Sequence, residues 1–199
     1  MNTRKFLSML AIASLFMNSC SDDDETPAPV SEEEVITTMT VTLTGGSETI
    51  TLKVFDEDGQ DGPMDPVPTI SGSLKANTTY MGTTILENET EDPAEVVNEE
   101  IEKEADEHQF FYLAEGLGIT TGYDDDESDY VNSDGEPFTT TNPVGISFTL
   151  TTTDATGDAS LRVVLRHEPV KDAEGVANGD ITNAGGSPDI DYTFNIAVE

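Results

Sequence analysis

Residues 38–55 carry the pattern that most restricts the fold. Met39, Val41 and Leu43 alternate with Thr38, Thr40, Thr42 and Thr44; after Gly45-Gly46-Ser47, Ile50, Leu52 and Val54 alternate again. Side chains along a strand point to opposite faces with period two, so each run has one apolar face and one face carrying hydroxyls. Two such runs joined by a Gly-Gly-Ser turn predict a β-hairpin with one side buried and one wet.

The same signal recurs down the chain. Strands are predicted over 69–74 and 78–86, joined near Lys75-Ala76-Asn77, and over 109–114, where His108 opens the run and Gly116 and Gly118 end it. Two more, 144–153 and 159–167, flank Asp154-Ala155-Thr156-Gly157, and Ile190, Tyr192, Phe194, Ile196 and Val198 form a last alternating strand. One helix is predicted over 92–106: Asp92 caps it, Pro93 suits the first helical position and Glu95 completes a capping box. Val97, Ile101 and Ala105 recur every four residues on one narrow face, opposite Glu95, Glu99, Glu102 and Lys103, as in a helix covering a sheet. The stretches 121–142 and 168–188 read as polar and glycine-rich loops, and loops of that length are usually functional or disordered. About eight strands and one helix, with turn signals between neighbours, predict an all-β, antiparallel β-sandwich of immunoglobulin-like character.

Composition narrows the function classes. The 199 residues include 41 acids against 8 Lys and Arg, a formal charge of −33. Such a charge repels nucleic acid and anionic membrane surfaces, and favours divalent cations and basic protein surfaces. Cys20 is the single cysteine, which rules out a disulfide framework, a CxxC redox pair and a thiolate zinc cluster. The chain has no GxSxG, P-loop or HExxH motif, and with so many acids a pair of carboxylates carries no catalytic information. A non-enzymatic protein is expected.

The position of Cys20 has its own meaning. Arg4 and Lys5 precede an apolar run from Phe6 to Phe16, then Met17-Asn18-Ser19, then the cysteine. The run is shorter than the roughly 20 residues of a membrane span and has the layout of a secretory signal. It resembles a bacterial lipoprotein signal, with Met17 where that family usually carries Leu. The resemblance implies cleavage before Cys20 and a lipid on that cysteine. Ser21-Asp22-Asp23-Asp24-Glu25 looks like the acidic signal that sends flavobacterial lipoproteins to the outer face of the outer membrane; as residues alone it is also a solvated charge run. Thr26-Pro27-Ala28-Pro29 continues an extended spacer. The expected organisation is a signal peptide at 1–19, an acidic tether at 20–34 and a β-sandwich domain at 35–199.

Two groups of residues suit metal ions. His108 and His167 are the only histidines, each at a strand end beside acids, Asp106 and Glu107 for the first and Glu168 for the second. Imidazole with carboxylate suits zinc, iron or copper, so His108, His167, Glu168 and Asp106 form a candidate transition-metal set if the strand ends meet. The same histidines also fit two unrelated surface positions or a haem axial pair. Asp56, Asp58 and Asp61 in Asp56-x-Asp58-Gly59-x-Asp61-Gly62 offer hard oxygen donors at odd spacing, as in calcium loops, and equally fit a solvated turn. Asp124, Asp125, Asp126, Glu127 and Asp129 read as a mutually repelling loop, with calcium as the other reading. Arg162 and Arg166, opposite Leu161, Val163 and Leu165, are expected to pair with acids.

Five segments look familiar together: the loop 56–62; Leu74-Lys75-Ala76-Asn77-Thr78-Thr79-Tyr80; Glu104-Ala105-Asp106-Glu107-His108-Gln109-Phe110-Phe111; Leu165-Arg166-His167-Glu168-Pro169; and Gly179-Asp180-Ile181-Thr182-Asn183-Ala184-Gly185-Gly186. They resemble a family of small flavobacterial surface lipoproteins over nearly all of 35–199. Members are sometimes labelled with a type 1 periplasmic-binding fold, and some are encoded near TonB-dependent receptors. That fold needs two parallel α/β lobes, whereas these residues offer one helix, so the β-sandwich is the expectation taken from the chain itself. The resemblance implies a binding accessory to nutrient or metal uptake at the outer membrane, with a TonB-dependent receptor as partner. The alternative is a structural or adhesive surface module stabilised by calcium.

Overall fold

A sheet with one apolar face must cover that face, and this chain does so with a second sheet. The computed structural model describes residues 34–59 and 62–199, so the expected signal peptide, Cys20, the tether up to residue 33, and Asp61 lie outside the described residues. In chain order the elements are β1 (Thr38–Gly45), β2 (Glu48–Phe55), β3 (Val67–Ile70), β4 (Thr79–Asn88), β5 (Glu95–Val96), α1 (Asn98–Lys103), β6 (His108–Glu115), β7 (Thr120–Tyr123), β8 (Ser147–Thr151), β9 (Gly157–His167) and β10 (Ser187–Val198). The larger sheet runs β3-β2-β1-β4-β8-β7, with β5 also against β4, and the smaller runs β10-β9-β6. Ladders between these strands are antiparallel. The all-β antiparallel sandwich with one helix is the architecture expected from the alternation.

The core lies where the period-two pattern puts it. Met39, Val41, Leu43 and Leu52 from the larger sheet, and Phe110, Leu161, Val163 and Leu165 from the smaller, join one cluster and are fully buried. Burying each such side chain stabilises the fold by about 1.5–3 kcal/mol. Tyr112 of β6 stacks on Phe148 of β8 at 3.6 Å between ring centroids, bridging the sheets. The Phe148 ring in turn lies against Gly82, where a Cβ would stand 2.4 Å from it, so β4 needs glycine there.

The helix is shorter than predicted. Residues 95–96 pair with β4, Glu95 opposite Asn88 and Val96 opposite Glu87, and α1 starts only after Val97. Local capping signals lose to pairing with an available strand edge, as tertiary context often overrides propensity. The predicted stripe is nevertheless the buried one: Val97, Ile101 and Ala105 are at most 4% exposed. Asn98 stands in for a missing strand beside β4, its Oδ1 accepting from Leu86 N at 2.7 Å and its Nδ2 donating to the Thr84 carbonyl at 2.9 Å.

The two long loops are ordered by inward-facing charge. In the acidic run at 124–129, read as mutually repelling, Asp125, Asp126, Glu127 and Asp129 act as acceptors. Asp125 takes hydrogen bonds from Gly145 N (2.7 Å), Ser147 N (3.1 Å) and Tyr130 Oη (2.6 Å), and Asp126 and Asp129 cap a 3-10 turn at Glu127–Asp129. Glu127 forms a 3.0 Å ion pair with Lys171, both side chains at most 4% exposed. Lys171 Nζ also donates to the carbonyls of Ala105 and Pro143, so one cation ties the end of the helical segment to both loops. Burial lowers the Lys171 pKa, against the opposing pull of Glu127. The second loop forms 3-10 turns at Val176–Asn178 and Ile181–Asn183, and Val176 and Ala184 pack on Phe111 and Val164. Arg162 pairs with Asp191 through Nε–Oδ1 at 2.7 Å and Nη2–Oδ2 at 2.5 Å, as expected of a structural arginine.

Lys171→Met should leave the Glu127 carboxylate buried without its cation and cost about 3–5 kcal/mol in urea unfolding. Adding Glu127→Leu should recover most of that loss, since an apolar replacement of a whole buried pair is often neutral. Equal losses in the single and double variants would show that the pair is not what holds the loops.

Candidate metal centre

The register between β6 and β9 brings the two histidines together. His108 opens β6, His167 closes β9, and they are direct cross-strand partners. Their neighbours along the same face, Phe110 with Leu165 and Tyr112 with Val163, belong to the core, so both imidazoles lie on the inner face at one end of the sandwich. The rings stack with centroids 4.6 Å apart and an interplanar angle of 16°. His108 is fully buried and His167 is 6% exposed.

Two carboxylates complete the group. Glu34 Oε1 stands 3.1 Å from His108 Nε2, and Asp189 Oδ2 stands 3.7 Å from the same nitrogen. One donor atom from each of Glu34, His108, His167 and Asp189 lies within 4.8 Å of the others. Donors 2.0–2.2 Å from one tetrahedral ion sit roughly 3.3–3.6 Å apart, so a small contraction closes this set on a zinc-sized cation. His108 Nδ1 lies 3.2 Å from the Glu104 carbonyl, a contact that suits an Nδ1–H donor and leaves Nε2 for the carboxylates or a metal.

Asp189 reaches the site through an irregularity. The β9–β10 register shifts between Pro188 and Ile190, and Asp189 and Ile190 are buried in succession, which strict alternation forbids. A bulge re-aims one side chain in this way. The turn before it approaches β9 closely: a Cβ on Gly186 (φ +65) would stand 2.2 Å from the His167 carbonyl, so only glycine brings β10 this near.

The histidine half of the predicted set is therefore brought together, and the carboxylate half differs. Asp106 and Glu168 are exposed and belong to neither group of mutually close donors among the described residues. Glu168, with φ +51, uses its backbone N–H to donate to the Glu107 carbonyl at 2.7 Å while its side chain faces away from the core. Glu34, read as the last residue of the tether, belongs to the group of close donors, with its side chain 5% exposed. Its nearness to buried Ile36 was a usable signal; for Asp189 only Pro188, which favours bulges, hinted at the departure from alternation.

In the aspartate-glycine loop, Asp58 Oδ2 accepts from Met64 N at 3.1 Å. Burial first, then the adjacent Asp58, raises the Asp56 pKa. Two of the three candidate calcium ligands are thus neighbours, and Asp61 lies outside the described residues.

The electrostatics of the histidine centre suit a cation. Burial pushes the His108 imidazole down, but Glu34, Asp189 and the Glu104 carbonyl outweigh it and raise its pKa. Burial likewise pushes the Glu34 carboxyl up, and His108 outweighs it, so the net direction is down. Comparison with protein-family models, curated proteins and solved structures finds no match to this chain.

These directions fix a pH window for the metal-free protein. The raised His108 stabilises the fold fully below its ordinary pKa of 6.5, and that contribution is lost as pH rises through its folded value. The lowered Glu34 contributes above its ordinary 4.5, and that contribution is lost as pH falls through its folded value. In chelator, the melting-temperature advantage of the unaltered chain over Glu34→Gln should be greatest between those pH values and shrink on either side. A pH-independent difference would contradict the ion pair.

Proposed function

We propose that this chain is a lipid-anchored cell-surface protein that binds a transition metal, a non-enzymatic accessory to uptake at the outer membrane. The observation that carries the metal reading is the convergence of Glu34, His108, His167 and Asp189 at one end of the sandwich. Two imidazoles and two carboxylates form a mixed nitrogen and oxygen set that suits zinc, iron or copper better than calcium, which prefers six or more oxygens. The chain's formal charge of −33 adds a field that concentrates cations around the protein. Four protein donors fill a tetrahedral shell, the closed arrangement of a holding site, whereas catalytic zinc keeps a position open.

The anchor and location rest on the sequence: Cys20 after an apolar signal segment, then the acidic run 21–25. A lipid on that cysteine would hold the domain at the outer membrane, facing the exterior, and a TonB-dependent receptor is the partner class that the family resemblance suggests. Cys20→Ser should release the protein from the membrane fraction into the soluble one; unchanged membrane retention would refute the anchor.

A second reading, a surface module stabilised by calcium, draws on the neighbouring carboxylates of Asp56 and Asp58, since burial first and then the nearby Asp58 raise the Asp56 pKa, and a cation would favour the charged form of both. One titration separates the two. Zinc, iron, copper and calcium are added in turn to a soluble form beginning before Glu34 and purified without chelator. The metal-centre reading expects one tightly held transition ion, lost in His108→Ala/His167→Ala and weakened at least tenfold in Glu34→Gln. The calcium reading expects a calcium-raised melting temperature that survives loss of both histidines. Tight transition-metal binding untouched by the double histidine variant would overturn the site assignment.

A further inference from the structure

His167 belongs to a second donor group as well. One donor atom from each of Glu104, Glu107 and His167 lies within 4.8 Å of the others, and Glu107 Oε2 is 3.8 Å from His167 Nε2. Both carboxylates come from the turn between α1 and β6. That turn is braced by Glu107 N donating to the Glu104 carbonyl at 2.8 Å and by Glu168 N donating to the Glu107 carbonyl at 2.7 Å.

The two groups differ in their access to water. Side chains of the inner set, Glu34, His108, His167 and Asp189, are at most 8% exposed, whereas those of Glu104 and Glu107 are 38% and 51% exposed. An ion from solvent thus meets hydrated carboxylates first and a dry set behind them, with the His167 ring common to both. A neutral imidazole ligates through one nitrogen and keeps a proton on the other, so it serves one ion at a time.

We propose that Glu104 and Glu107 form an outer loading station through which a divalent cation reaches and leaves the inner site. The inference rests on the transition-metal reading above. A cation captured by Glu104, Glu107 and His167 keeps the His167 ring and exchanges the outer carboxylates for His108, Glu34 and Asp189. No covalent bond or redox change is involved. The outer oxygens replace water ligands stepwise, so the ion need not shed its whole hydration shell before meeting the buried donors, a desolvation that is costly for a bare ion. Fast loading and release is what a protein handing ions to a partner requires; an ion that only braces a fold needs neither.

The test is zinc stoichiometry and kinetics at one pH and ionic strength, with a chromophoric chelator as competitor. Glu104→Gln/Glu107→Gln should bind one zinc ion with an affinity within about threefold of the unaltered chain, while loading and release both slow by about tenfold or more. Glu99→Gln/Glu100→Gln removes the same charge from exposed positions on α1 and should change neither rate appreciably. Equal slowing in this control would assign the effect to long-range attraction and overturn the station. Two zinc ions in the unaltered chain, falling to one in Glu104→Gln/Glu107→Gln, would overturn it in favour of a permanent second site. Weakened affinity at an unchanged loading rate would make Glu104 and Glu107 ligands of a single centre, again overturning it. Absence of zinc binding in the unaltered chain would instead defeat the metal reading on which the station depends.

Discussion

Between β6 and β9 the chain aligns eight residue pairs, from His108 with His167 to Glu115 with Ser160. On one face of that ladder Phe110, Tyr112, Leu165 and Val163 meet the larger sheet; on the other Phe111 and Val164 meet the loop that carries Val176 and Ala184. Around Phe111 and Val164 both faces of the smaller sheet are therefore dry, whereas Arg162, Thr193 and Asn195 further along the outer face meet water; this is why residues 110–112 read as a continuous apolar run instead of an alternation. A slip of one residue would send Phe110 and Tyr112 to the loop side and carry His108 away from Asp189. Core packing and the donor cluster thus depend on one register, and the free energy that holds it comes from the apolar pairs, not from the site.

At the end of that ladder, stabilising apolar burial gives way to buried charge. Taking carboxylates and imidazoles out of water costs several kcal/mol per ion unless each finds an opposite charge or a metal. His108 meets that condition with Glu34 and Asp189, and Lys171 meets it with Glu127 on the far side of Ala105. The two clusters differ in composition. Lys171 has three acceptors for its three protons and offers nothing to a ligand, so it is a tie between loops. The histidine cluster instead brings imidazole and carboxylate donor atoms within 4.8 Å of one another.

The acidity of this chain consequently has two meanings. Among the described residues most acids face water and set the field around the molecule. A minority turn inward: Asp125 holds the backbone of Gly145 and Ser147, Glu127 holds Lys171, and Asp189 and Glu34 face His108. Composition cannot separate these groups, because a carboxylate that caps a turn and one that repels its neighbours are spelled alike. The distinction is made by what each oxygen can reach.

Alternation in 38–55, 78–86, 144–153, 159–167 and 190–198 was enough to determine an antiparallel, all-β core and which side chains fill it, because period-two burial is a local property of extended backbone. The stripe of Val97, Ile101 and Ala105 was legible for the same reason, and so was the placing of both histidines at strand ends. Tertiary structure decided the rest. It paired Glu95 and Val96 with β4 in place of a first helical turn, and set His108 opposite His167. It also exchanged Asp106 and Glu168 for Glu34 and Asp189 as the companion carboxylates. Proximity in sequence proposes ligands from the same strand end, yet Asp106 lies in the turn before β6 and Glu168 (φ +51) in the bend after β9, and both are exposed. The carboxylates that reach an inward-facing imidazole come instead from a bulge in β10 and from the segment leading into β1, and only the folded chain brings those near.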